Sequence, residues 1–473
     1  CDTTHGKIRC KSKVVYGDSV AGNEPLILQD ENEKVVIKTI ESLSNEWVEY
    51  DNFKPFDTIE SNRREKQKAF VKYKVWANGK WNPIKKVIRH KTNKNIYRVN
   101  THIGVVDVTG DHSLVNDKLE KIKPTDCMIG KTKLSHTFPD EFVENDCIVF
   151  EQGIKEVVDE NLYSCSSCKE KYDKTFYYMD KNIRGKQCKL CIKKKTCERK
   201  GKKFNGKLEK KIINIHTESY NITEDEARVW GMFMGDGSCG KYKNGKRNVK
   251  RNNNKTGNKF SWAINNATIE RLNIYKKILE KIEPIKFKIL NTIKSSGVYK
   301  LVPIGNIVYM VNKYRNLFYS EKKEKIVPNC ILNAKLSIRI AYFEGYYDAD
   351  GSKTHGYGIN KRMSFLAKNK ITAQCLYYLA TSIGYNNLSI NYKTKNDNDY
   401  YTISSCKKWG KEPTILKKME IIRNSGEEYV YDLETEDGIF ACGVGKLQLF
   451  NTDSCFMTFN AEELDGTKII GKK

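Results

Sequence analysis

Two stretches of this chain, 114 residues apart (341 against 227), carry the same spacing of small residues, and that repetition narrows the folds open to it. In the first, Ala227, Gly231 and Gly235 recur every four positions and are followed by Asp236 and Gly237. In the second, Ala341, Gly345 and Ala349 do the same and are followed by Asp350 and Gly351. Residues four apart share one face of an α-helix, so each set makes a ridge poor in side chains. Gly inside a helix costs up to ~1 kcal/mol relative to Ala, so paired glycines need a packing reason. Helices crossing through two such ridges approach backbone to backbone. That crossing sets Asp236 beside Asp350, both at helix C-termini, where the macrodipole disfavours negative charge. Like charges so placed repel unless a cation stands between them, and carboxylate oxygens suit Mg²⁺. A metal pair spanning an attacking water and a leaving oxygen is one route to phosphodiester cleavage. Thr223-Glu224-Asp225-Glu226 precedes the first ridge as a capping box.

With 473 residues the chain is long enough for roughly two to four domains. Lys and Arg outnumber Asp and Glu by 84 to 58, a net charge of +26, which suits a polyanionic partner through release of counterions. A basic solvated surface without a partner would give the same balance. No apolar run of about 18 residues occurs, so no membrane span is expected. The opening Cys1, without a charged-then-apolar leader, suggests a fragment with no signal peptide and an intracellular setting, cytoplasmic or nuclear. Fifteen cysteines in a chain of this length do not make a secreted disulfide framework. Four of them, Cys165-x-x-Cys168 and Cys188-x-x-Cys191, form two knuckles separated by residues 169–187, a spacing that places four thiolates around one tetrahedral Zn²⁺. Tyr172, Phe176, Tyr177 and Tyr178 between them cover a small site without building a core, so the metal would supply folding energy. Cys197 falls outside the spacing. Lys193–Lys195 and Arg199–Lys211 read as a basic linker suited to DNA backbone.

Near the ends, Lys13-Val14-Val15-Tyr16-Gly17-Asp18 and Thr452-Asp453-Ser454-Cys455-Phe456-Met457 are short strand-like runs that make sense when joined: strand, acidic turn, strand. The joined string resembles the metal-binding hairpin of family B DNA polymerases, in which Y-G-D-T-D-S holds catalytic carboxylates. Asp453 would then be the metal ligand, with Asp18 close by. With the hairpin interrupted and most of a polymerase missing, no polymerase activity is expected of this chain.

The intervening 19–451 resembles an intein, a segment that removes itself by protein splicing. Ser19-Val20-Ala21-Gly22 matches the opening block, although Asn23-Glu24 stands where Asp-Thr is usual. Thr109-Gly110-Asp111-His112 supplies Thr-x-x-His. Turning the Asp18–Ser19 amide into an ester requires its nitrogen to be protonated as it leaves, and a near-neutral His serves for that. Val430-Tyr431-Asp432-Leu433 matches a later block with Asp432 at its acidic position. The resemblance implies that Thr109 holds the strained peptide, Thr452 takes the acyl group from Ser19, and Asn451 cyclises to cut the Asn451–Thr452 bond. Phe450 stands where inteins usually carry His, and no His follows His355.

The two ridge segments resemble the motifs of single-chain LAGLIDADG homing endonucleases. Asp348-Ala349-Asp350-Gly351 is close to the family string, whereas Met234 replaces the first Asp in the other copy. The resemblance implies catalytic metal at Asp236 and Asp350 and basic residues nearby: Lys325 for one half, Lys393 or Lys395 for the other.

The expected architecture is multi-domain. Residues 19–157 and 409–451 make an all-β Hint splicing domain. A zinc-ribbon-like module with its basic linker occupies 158–212, and an α+β two-repeat endonuclease occupies 213–408. Polymerase fragments lie at 1–18 and 452–473. The expected activities are autocatalytic splicing, which needs no cofactor, and Mg²⁺-dependent cleavage of double-stranded DNA, the uninterrupted polymerase gene. The expected state is a monomer with structural Zn²⁺ and no membrane partner. A degenerate endonuclease that binds DNA without cutting it is the alternative.

Overall fold

The computed structural model describes residues 19–49, 66–156, 163–172, 176–180, 183–201, 213–243, 258–305, 307–352, 362–396, 398–423 and 428–451. Asp18, Thr452 and Asp453, on which part of the sequence argument rests, lie outside the described residues. The chain divides into two compact units, Ile148–Asn221 and everything on either side of it.

The larger unit has a β-rich part and a ridge-helix part. In the β-rich part the strands Lys418–Arg423, Ile96–Asn100, Gly104–Thr109, Val20–Ala21, Glu428–Thr435, Lys80–Thr92, Lys74–Ala77, Pro25–Gln29 and Val35–Thr39 lie side by side in that order. Segments near both ends of the described chain therefore share one sheet, with Val20–Ala21 inserted between Gly104–Thr109 and Glu428–Thr435. β-Branched and aliphatic side chains suit such pleated, half-buried surfaces, and Val20, Val99, Val106, Val108 and Leu433 fill the core with Leu28, Phe440 and Leu449. A second, four-stranded sheet pairs Leu114–Val115 with Gln448–Phe450, flanked by Lys121–Ile122 and Ile439–Ala441.

The ridge-helix part follows the 114-residue repeat. Helix Glu224–Asp236 leads into the sheet Gly237–Lys243, Asn258–Asn266, Val298–Ile304 and Lys286–Thr292. Helix Leu336–Asp350 leads into the smaller sheet Ser364–Lys368, Asn398–Ser405 and Leu388–Lys395. Thr223 caps the first helix by accepting the Glu226 N–H (3.2 Å). The Glu226 carboxylate reaches Lys313 (3.0 Å).

The helices cross through their ridges. A Cβ on Gly231 would lie 1.8 Å from the Tyr342 carbonyl oxygen, and one on Gly345 would lie 1.9 Å from that of Arg228. The two contacts are images of each other under the repeat, since 345 follows 231, and 342 follows 228, by the same offset. Any side chain at either position displaces backbone. No described helix is long and apolar enough to cross a membrane.

The smaller unit encloses the expected 158–212 module and adds two antiparallel arms, Ile148–Glu156 and Ile213–Asn221, paired from Ile148↔Asn221 to Glu156↔Ile213. The expected pair of knuckles needs correcting. Cys165 and Cys168 follow the strand Tyr163–Ser164, but Cys188 ends the strand Ile183–Cys188 and Cys191 lies in the first turn of the helix Lys189–Arg199. One ligand pair is thus mounted on a helix start, which no ribbon of two hairpins provides. The same helix carries Lys193–Lys195, expected as linker.

Candidate functional site

The opening strand positions the first site. Val20 pairs with Val108 on one side and with Tyr431 on the other. Extending both registers by one residue sets Ser19 between Thr109 and Asp432. The Ser19 N–H donates to Thr109 Oγ1 (3.1 Å), and the Thr109 N–H donates to Ser19 O (2.9 Å). The chain then turns tightly, with the His112 N–H on the Thr109 carbonyl (3.0 Å). One residue on, the Ser113 carbonyl accepts the Phe450 N–H (3.0 Å), and Leu114 pairs with Leu449. The Asn451 N–H donates to Gly438 O (2.8 Å). The short segment 109–114 thus holds both Ser19 and the strand Gln448–Phe450. Ser19, Thr109, His112, Asp432 and Asn451 are all buried. Asp432 accepts the Leu433 N–H (2.8 Å).

Phe450 packs against Ala77, Val115 and Ile439 with Lys121 Nζ 5.1 Å from its ring centre, an apolar seat beside Asn451.

A buried charge cluster lies behind Ser19. The Asp107 N–H donates to Glu24 Oε1 (2.9 Å), and Lys370 donates to both carboxylates. Arg98 forks Asp107 through Nε–Oδ1 and Nη2–Oδ2, both 2.8 Å. Burial pushes the Glu24 carboxyl up to about 7 against the pull of Lys370. Burial acts on Asp107 in the same sense, but Lys370 and Arg98 outweigh it and hold its carboxyl below the usual range. Sequence reasoning missed this cluster. Its one visible trace was the acidic Glu24 in an otherwise apolar, small-residue block.

The second site stands at the C-terminal ends of the ridge helices. A Cβ on Gly235 would meet Asp350 Oδ2 at 3.0 Å, so Asp350 lies against the residue that precedes Asp236. Asp236 Oδ2 accepts from Asn266 Nδ2 (2.6 Å). The Gly after each Asp is needed for room: a Cβ on Gly237 would meet Phe233 Cδ2 at 2.2 Å, and one on Gly351 would meet the Tyr347 carbonyl oxygen at 2.3 Å. Lys325 is enclosed, and its ammonium donates to the carbonyls of Phe233 (3.0 Å), Met234 (2.9 Å), Gly235 (3.1 Å) and Gly237 (2.7 Å). It therefore closes the negative end of the first helix. Burial depresses its pKa to about 8, with Asp350 and Asp236 pulling the other way. Lys393 and Lys395 are exposed near the turn of their hairpin.

Asp348 is held by Arg228 Nη2 (3.2 Å) and Tyr275 Oη (2.7 Å). The repeat counterpart of Asp348 is Met234 and that of Arg228 is Tyr342, so the image of this ion pair is an apolar pair. Met234 thus departs from the motif at the position whose counterpart, Asp348, meets Arg228.

The third site is in the smaller unit. The Sγ atoms of Cys165, Cys168, Cys188 and Cys191 all lie within 4.8 Å of one another. Cys165–Cys191 and Cys168–Cys188 are each 3.9 Å apart. Zinc–sulfur bonds of ~2.3 Å in a tetrahedron put sulfurs ~3.8 Å apart. The residues fit that ion. Cys165 Sγ also accepts the N–H groups of Ser167 (3.4 Å) and Cys188 (3.2 Å), as a thiolate would.

Over 468 residues, 98% of this chain, the sequence is 40% identical to the DNA polymerase of Acanthamoeba polyphaga mimivirus, of which it covers 22%. The chain is similar to a stretch of a DNA polymerase. It spans 6% to 22% of the length of the curated relatives it matches. No family model matches it. Among solved structures, the homing endonuclease I-DmoI in complex with DNA and Mn overlaps 39% of this chain and 89% of that one, at 16% identity and a TM-score of 0.28. A transcription factor IIB mini-intein overlaps 25% of this chain and 69% of that one, at 20% identity and a TM-score of 0.20.

Proposed function

We propose that residues 19–451 excise themselves from a DNA polymerase by protein splicing, and that the ridge-helix part is a site-specific endonuclease for double-stranded DNA. The observation that carries the splicing reading is the grip of segment 109–114 on both ends, Ser19 through Thr109 and Phe450 through Ser113. The identity with a viral DNA polymerase over nearly the whole chain supports the host. Ser19 Oγ attacks the Asp18 carbonyl and forms an ester, while His112 delivers a proton to the departing nitrogen and Thr109 orients the peptide. The Thr452 hydroxyl then takes the acyl group. The Asn451 side-chain nitrogen attacks the Asn451 main-chain carbonyl and expels the Thr452 nitrogen, so that succinimide formation breaks the Asn451–Thr452 bond and frees the insert. The ester between Asp18 and Thr452 finally rearranges to an amide. Asp432, across the sheet from Ser19, is placed to tune the first step.

For cleavage, Asp236 and Asp350 would hold Mg²⁺, which supplies Lewis acidity at the phosphodiester. Retention of both carboxylates at the crossing favours cutting over mere binding. Lys325, charged below pH about 8, would steady the carbonyl-rich helix end beside them. Zn²⁺ on the four cysteines would fold the smaller unit. The proposed state is a monomer inside the cell.

Mass spectrometry of the expressed chain tests the splicing reading: a product of 433 residues (19 to 451 inclusive) should appear with the flanks ligated. An unchanged precursor under all conditions would end it. Incubation with Mg²⁺ and DNA carrying the uninterrupted gene should give a double-strand break that Asp350→Ala abolishes. Tight binding without a break would support the alternative.

A further inference from the structure

The helix Lys370–Ser382 belongs to the ridge-helix part, yet its first turn enters the β-rich part. Lys370 is its first residue, and its ammonium donates to Glu24 Oε1 and Asp107 Oδ2. One turn on, Gln374 clasps the C-terminal block: the Gly445 N–H donates to Gln374 Oε1 (2.6 Å), and Gln374 Nε2 donates to Gly445 O (3.3 Å). Arg98, which forks Asp107, also reaches Asp399 Oδ2 of the ridge-helix part (2.7 Å). Glu24, Asp107, Lys370 and Arg98 are each at most 4% exposed.

These carboxylates are tied to the reacting serine. The Glu24 N–H donates to Ala21 O (3.2 Å), closing the turn that follows Ser19-Val20-Ala21. Glu24 Oε1 fixes the Asp107 backbone, and two residues beyond Asp107 is Thr109, the partner of Ser19. Among the described residues Lys370 is the only cation paired with Glu24, while Arg98 serves Asp107. A buried carboxylate that loses its cation is far costlier than a paired one. Without Lys370 the Glu24 carboxyl loses the donor that fixes its place: it either keeps an unmatched charge beside Asp107 or takes up a proton, and in both cases the strands that carry Ser19 and Thr109 lose a buried tie.

We propose that Lys370, a residue of the endonuclease part, is a positioning residue for the acyl shift at Ser19. The splicing centre is then completed by a side chain of the domain lodged within it. This inference rests on the splicing reading above.

The test uses the full chain with its flanks in three forms: unaltered, Lys370→Met, and Lys370→Met with Glu24→Gln. Hydroxylamine-induced release of the N-terminal flank reports the ester at Ser19. Release of the C-terminal flank by Asn451 is followed separately in a Ser19→Ala background, where it does not depend on the ester. Lys370→Met should slow ester formation about tenfold or more, leaving C-terminal release within about twofold. Adding Glu24→Gln supplies a neutral side chain whose Oε1 still accepts the Asp107 N–H and should bring ester formation back to within about threefold of the unaltered chain. Lys370→Met at the unaltered rate, an equal loss in both arms, or no recovery in the double variant would each overturn the positioning role. If the unaltered chain forms no ester at all, it is the splicing reading that falls.

Discussion

Glu24 stands where the intein resemblance leads one to expect Thr, and its surroundings explain the exchange. The carboxylate does what a short hydroxyl does elsewhere, accepting a neighbouring strand's N–H, but it brings a charge that must be matched by Lys370. Phe450 is a second departure at this scale. It fills an apolar seat against Val115 and Ile439, so the ring offers Asn451 no proton. Phe450→His should therefore speed release of the C-terminal flank about tenfold or more. An unchanged rate would mean that another group already does the task. His90 gives a third residue-level expectation. Burial, with Lys66 and Lys94, lowers its pKa to about 4 from an ordinary 6.5, partly opposed by Asp111. Between those values the unfolded chain binds the proton that the folded chain refuses, so stability falls as pH drops through the window, by about 3 kcal/mol in all. Urea unfolding of a Ser19→Ala, Asn451→Ala chain at pH 7 and pH 4.5 reads this loss, and His90→Gln should reduce it. The sequence showed Ser19, Thr109, His112 and Asn451 as members of local strings. It could not show Lys370, which meets Glu24 across 346 positions and carries no local pattern.

The ridge helices were legible because their packing rule is written in single residues at fixed spacing. Gly231 and Gly345 face carbonyl oxygens of the opposite helix at distances no Cβ tolerates. Gly345→Ala should cost about 3 kcal/mol or more, at the upper end of overpacking penalties because the obstacle is backbone. A denaturation series should show it as a lowered midpoint with an unchanged slope. Gly231→Ala should match it, since the repeat makes the two positions equivalent; a mild effect at either would contradict the close crossing. The cysteine module was legible only in part. Spacing identifies four ligands, but a knuckle and a helix start offer the same C-x-x-C, and here the second pair took the helix. Lys193–Lys195 lie on that helix for the same reason: a run of lysines is as compatible with a helix as with a linker.

At the scale of the molecule, motif order places a zinc module and an endonuclease within a splicing domain split between 19–157 and 409–451. In the larger unit the β-rich and ridge-helix parts are fused through buried polar contacts. Asn333 of the ridge-helix part even pairs with the backbone of Val35 through Nδ2–O (2.8 Å) and N–Oδ1 (2.7 Å), as a neighbouring strand would. Such contacts are single residues far apart in sequence, which no periodicity announces. The module behaves differently, being a unit of its own. A strong chelator should release about one zinc per chain and open residues 163–201 to protease, leaving ester formation at Ser19 unaltered. Loss of splicing on chelation would contradict that independence. The helix Lys370–Ser382 gives the fusion a genetic consequence. On the proposed function, a lineage could lose cleavage by point changes at Asp236 or Asp350 and still join the flanks of its host. A deletion of the whole ridge-helix part would also take Lys370 and Gln374, and on the same reading would leave those flanks unjoined. Selection on replication would then preserve the body of a nuclease long after selection for cutting had ceased.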